Sequence, residues 1–86
     1  MLKTTHPNGE GGRRAIYDYE TKFIKKIELA KGLPHYPKIE KWAQDCIYNH
    51  TGFGYSAIRA ISYMDLVNEM TEKDFIKWAK NIKTEA

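Results

Sequence analysis

Tyr19, Lys22 and Lys26 stand at i, i+3 and i+7, a spacing that puts one aromatic ring and two ammonium groups on a single helix face, with Arg13 and Arg14 just before it. A nucleobase can stack on such a ring while the amines meet phosphates; the competing reading is an ordinary solvated basic face. Arg59 is the second candidate. It sits in the run AIRAI, where a guanidinium must snorkel, pair with a carboxylate such as Asp65 or Glu69, or meet an anion brought by a ligand.

Catalytic chemistry has less to draw on. His6, His35 and His50 are scattered, with no HxxxH or paired-carboxylate spacing beside them, so neither a metal nor a cofactor is expected. His50 reads as a satisfied or exposed histidine rather than a ligand. GEGG at 9–12 lacks the Lys-Ser/Thr ending of a phosphate loop, and no nucleophile has a neighbouring base. Cys46, the single cysteine, excludes an internal disulfide and falls in an apolar helical pattern, which predicts a reduced core thiol. No enzymatic activity is expected.

The chain of 86 residues is long enough for one small domain and a modest core. Its net charge of +3 leans mildly toward phosphate-bearing partners, and two Trp, six Tyr and three Phe supply flat rings, at least half of which the core should claim. No apolar run approaches the roughly 18 residues of a membrane span, and the start MLKTTHPNGEGG lacks the hydrophobic region of a signal peptide. A soluble, cytoplasmic protein with no membrane partner is the expectation.

The elements that must position these residues read as all-α. Residues 1–14 form a loop-rich start within a single domain spanning 1–86, with a Pro, an Asn and three Gly in the run TTHPNGEGGR. From Ile16 to Lys31 the apolar positions Ile16, Phe23, Ile24, Ile27 and Ala30 repeat at helical spacing, and Gly32 and Pro34 supply a stop. A long central helix starts near Pro37, carries Ile39, Trp42, Ala43, Cys46 and Ile47 on one stripe, continues or kinks through Gly52 and Gly54, and runs to Met70. Glycine costs about 1 kcal/mol against Ala in a helix interior, so this pair implies that something approaches the backbone there. Thr71 with Asp74 resembles a helix N-cap, followed by a short helix carrying Phe75, Trp78, Ala79 and Ile82.

In the second half of the central helix two apolar stripes, 57, 58, 61, 64 and 63, 66, 67, 70, leave little solvated surface. Three short helices cannot cover both, which predicts self-association into a homo-oligomer. Gly52 and Gly54 would then let helix backbones of neighbouring copies come close.

TGFGYSAIRAI resembles the segment in which phage anti-CBASS sponge proteins carry a Gly-Phe pair followed by an Arg-Ala pair in a helix. IYDYETKFIKKIELAKG is similar to that family's first helix, and the resemblance covers roughly residues 13–63, with a Lys/Ile/Asn-rich, low-proline style like that of T-even-type phage members. It implies a small helical protein, assembled as a compact homohexamer, that sequesters cyclic oligonucleotides without cleaving them. Cyclic dinucleotides such as cyclic GMP-AMP would sit between protomers on a stacking Tyr and a phosphate-binding Lys. Cyclic trinucleotides would take a separate site near the symmetry axis that uses the Arg of the Arg-Ala pair, here Arg59. The family's Tyr and Lys positions fall near Arg13 and Glu28, which differ in type, so the nearest carriers are Tyr17 or Tyr19 and Lys25 or Lys26. The resemblance does not reach the C-terminal TEKDFIKWAKNIK.

The expected function is therefore sequestration of cyclic di- and trinucleotides in the host cytoplasm, blocking CBASS antiphage signalling. The alternatives are a small basic phage protein that binds nucleic acid, or one that inhibits a host enzyme by protein contact. The sequence has neither helix-turn-helix spacing nor a dense Lys/Arg stripe, so nucleic acid is the less favoured partner.

Overall fold

A computed structural model describes residues 2–5 and 14–81. Arg13, His6, Ile82 and the glycines at 9, 11 and 12 lie outside the described residues. Four helices follow one another, α1 (Arg14–Glu28), α2 (Tyr36–Asn49), α3 (Tyr55–Glu69) and α4 (Glu72–Asn81), and the described residues contain no strand. The fold is all-α, with one helix more than the sequence pattern predicts.

The extra helix comes from the glycine pair. The expected long central helix does not continue through residues 50–54: it stops at Asn49 and restarts at Tyr55. His50 N–H donates to the Cys46 carbonyl at 3.0 Å and Gly52 N–H to the Asn49 carbonyl at 3.0 Å, closing α2 with a tight turn. Gly54 then adopts φ 80°, ψ −161° immediately before α3, a left-handed conformation that disfavours any residue with a Cβ. Nothing lies within 4 Å of where a Cβ on Gly54 would be, and one on Gly52 would meet only the carbonyl of Asn49 at 3.3 Å. Within the protomer these glycines therefore permit a reversal of the chain rather than a close crossing. Trp42 packs edge-on against Tyr63 with ring centroids 5.4 Å apart, so α2 and α3 run back along each other as an antiparallel pair.

Helix α1 ends earlier than its apolar pattern. After Glu28 the ladder tightens to i→i+3 bonds (Leu29 N–H to Lys26 C=O, 3.1 Å; Ala30 to Ile27, 3.0 Å; Lys31 to Glu28, 3.1 Å), which carry Ala30 into the core through turns rather than helix. Arg14, expected in the loop-rich start, instead opens α1. Pro37 stands in the first turn of α2, where its missing N–H costs nothing. Thr71 Oγ1 accepts from the Asp74 N–H at 3.1 Å, so α4 has the cap predicted for it, with Glu72 and Asp74 complementing the helix dipole.

The core is shared by all four helices: Phe23 and Ile27, Ile39, Ala43 and Ile47, Met64 and Val67, Phe75 and Ala79 are completely buried. Leu2 joins them, and Gln44 holds the segment at 2–5 through the Lys3 backbone, accepting from its N–H at 2.8 Å and donating to its C=O at 3.0 Å. His35 Nε2 donates to the Ala79 carbonyl at 2.8 Å, tying the start of α2 to α4. On α3 each predicted stripe is divided. Ala57, Ala60, Met64 and Val67 point into the core, while Ile58, Ile61, Tyr63 and Leu66 remain exposed.

Candidate functional site

Trp42, Asp45 and Asn49 fall on one face of α2 at i, i+3 and i+7, and Tyr55, Arg59 and Tyr63 on one face of α3 at i, i+4 and i+8. The antiparallel pairing brings the two rows together around an open cavity of about 280 Å³, completed by Cys46, Ser56 and Ala60. Trp42 and Tyr63 support each other, whereas Tyr55, 86% exposed, packs on almost nothing and offers a free ring face. Arg59 is exposed and has no ion-pair partner among the described residues; neither Asp65 nor Glu69 pairs with it.

The first turn of α3 forms one end of this groove. No side chain caps it and it contains no acidic residue, so its amide N–H groups and the Arg59 guanidinium together favour an anion. Cys46 is 5% exposed, and burial, followed by the charge of Asp45, pushes its thiol from 9.0 to about 12. It stays protonated at neutral pH and lines the groove without nucleophilic character.

The face of α1 singled out by the sequence is built differently. Tyr19 Oη donates to Asp65 Oδ1 at 2.5 Å, and burial, then that carboxylate, raises the phenol well above its ordinary range. Lys26 Nζ donates to the Met70 carbonyl just beyond α3. Both groups therefore join α1 to α3 instead of standing free, as their spacing on the helix alone would predict. Lys22 stays exposed beside them, and Lys25 is exposed further round α1. Arg14 pairs with Asp18 at 3.2 Å and stands 5.9 Å from the centre of the Tyr17 ring. A wider cavity of about 380 Å³ opens beside Tyr19, lined also by Ala15, Ile16, His50, Ile61 and Asp65, and it offers an apolar wall with no lysine or arginine.

Sequence reasoning missed the buried centre beneath that wall. Glu20 is completely buried and accepts from the Thr5 N–H at 2.8 Å, the Thr5 hydroxyl at 2.6 Å and His50 Nε2 at 2.5 Å. Three donors on one carboxylate make this a satisfied structural site, with the Tyr19 ring 5.7 Å from the imidazole. The signal was present in the helical register: Glu20 continues the Ile16, Phe23 and Ile27 stripe. Among the described residues no three His, Cys, Asp or Glu side chains come together in a way that could hold a metal ion, and no helix is long and apolar enough to cross a membrane.

Neither a family model, nor a curated protein, nor a solved structure matches this chain.

Proposed function

We propose that this protein binds cyclic di- and trinucleotides without cleaving them, as a homo-oligomer for which a hexamer is favoured, and so withholds these messengers from CBASS defence effectors in the host cytoplasm. One observation carries the reading: Arg59, without an ion-pair partner among the described residues, shares an open groove with the exposed Tyr55 ring and the Trp42–Tyr63 pair. A guanidinium beside unoccupied ring faces is what a nucleotide needs, charge for the phosphate and a flat surface for the base. Sequestration requires only affinity and abundance.

The cyclic trinucleotide is assigned to Arg59, where symmetry-related guanidinium groups would face three phosphates. For the dinucleotide, Tyr17, Arg14, Lys22 and Lys25 are the α1 groups not committed to α3, and they replace Tyr19 and Lys26 as the first choice. The exposed row Phe53, Tyr55, Ile58 and Leu66 supports self-association, and equally a second reading in which this face docks on a host enzyme.

Light scattering and calorimetry test both. A stable oligomer should be present without ligand, and Arg59→Ala should abolish binding of a cyclic trinucleotide while cyclic GMP-AMP is still bound through the α1 groups. A monomer that binds neither messenger would favour the host-enzyme reading, and equal loss of both ligands would point to one shared site.

A further inference from the structure

The groove between α2 and α3 holds two charges of opposite sign, neither of which has an ion-pair partner among the described residues. Asp45 and Arg59 line the same cavity, yet they form no ion pair with each other, and Asp45 has no cationic partner among the described residues. A ligand that satisfies both must present hydrogen-bond donors toward α2 and an anion toward α3. Asn49, one turn after Asp45 on the same face, adds an amide that can donate beside the carboxylate.

We infer that this groove selects guanine: Asp45 accepts from N1–H and N2–H of a guanine base lying on the Tyr55 ring, Asn49 donates to its O6, and Arg59 meets the phosphate. The inference rests on the nucleotide-binding reading above and adds the identity of the base. Among the common bases only guanine offers two adjacent N–H donors next to a carbonyl on its pairing edge. Adenine and cytosine turn a ring-nitrogen lone pair toward the carboxylate, and uracil flanks its single N–H with two carbonyl oxygens. A carboxylate that accepts two parallel N–H groups makes a charge-assisted, bidentate contact, and a base lacking those donors leaves the charge unmatched against a lone pair. The cavity of about 280 Å³ is of a size for one base rather than a whole cyclic dinucleotide, which fits recognition of a single nucleoside per groove.

The test is calorimetric titration of the intact protein with GMP, AMP, cyclic tri-adenylate and a cyclic trinucleotide containing one guanine, repeated with Asp45→Asn. Asp45 lies on the exposed side of α2, so the isosteric change leaves the fold in place, and circular dichroism verifies it. The expected result is at least tenfold preference for GMP over AMP and for the guanine-containing ring over cyclic tri-adenylate, with both preferences lost in the variant. Equal affinities in the parent protein, or a preference that survives Asp45→Asn, overturn the guanine assignment and leave sequestration standing. Discrimination between GMP and AMP that depends on Asp45, with neither ring bound, keeps the guanine assignment and overturns sequestration. Binding of no nucleotide overturns both.

Discussion

Helix α3 is polar toward both of its neighbours, yet the two sides are in opposite condition. Toward α1, Asp65 takes the Tyr19 hydroxyl and the Met70 carbonyl takes Lys26, and beneath them Glu20 is saturated by Thr5 and His50. Toward α2, Arg59 and Asp45 face a common cavity with no ion-pair partner among the described residues, and Tyr55 stands almost fully exposed. Residue types alone make the α1 side look like the binding surface, because it has the tyrosine and lysines at helical spacing. Once the partners are counted the order reverses: the matched groups hold the fold together, and the unmatched ones have interactions left to give.

The contrast breaks if the matched side proves dispensable. Glu20→Ala should have the largest effect, about 3–5 kcal/mol of lost stability in urea unfolding, because it strands a buried imidazole and two Thr5 donors. A loss below about 1 kcal/mol would mean that the buried site is not structural. Arg59→Ala should come next and act on a different quantity, weakening cyclic trinucleotide binding by about 1.5–3 kcal/mol while unfolding stability stays within about 0.5 kcal/mol of the parent. Tyr19→Phe removes only the hydroxyl that reaches Asp65 and should cost about 1 kcal/mol of stability, with cyclic GMP-AMP affinity unchanged; a tenfold loss of affinity instead would return Tyr19 to the ligand site.

A last effect is confined to alkaline pH. Burial and the neighbouring Asp45 charge raise Cys46 from 9.0 to about 12, and burial followed by Glu40 raises Tyr36 from 10.0 to about 12. In both cases the folded state holds the proton more tightly than the unfolded chain. Their contribution is therefore complete below about pH 9 and lost as pH climbs from 9 toward 12. Melting temperatures recorded from pH 7 to 11 should fall in that window, and Cys46→Ala should flatten the early part of the fall.

Much of the architecture was legible from periodicity. The stripes on α1 and α2 bury Phe23, Ile27, Ile39, Ala43, Cys46 and Ile47 as their spacing predicts, and Thr71 caps α4. The glycine pair was harder, since low helix propensity at residues 52 and 54 suits a kink and a reversal equally; the positive φ of Gly54 decides for reversal, and torsion angles are not written in composition. The reversal then sets which residues meet. Tyr19 and Asp65 are 46 positions apart, Lys26 and Met70 44, so neither pairing could be read from spacing within a helix. The α2 row of the groove is not legible from the apolar stripe through Ile39, Trp42, Ala43, Cys46 and Ile47, because Asp45 and Asn49 gain meaning only when Arg59 is folded opposite them.

The short stretch at 2–5 reaches across the chain to Gln44 on α2 and to Glu20 on α1, and so makes the buried carboxylate readable by a single nucleus. The Thr5 amide proton points at Glu20, and its exchange with deuterium times each lifting of that segment. A chain lacking its first five residues would leave Glu20 with the imidazole alone, and a fusion attached at the N-terminus bears directly on the same latch. Slow exchange at Thr5 would thus report whether the centre of the bundle is closed.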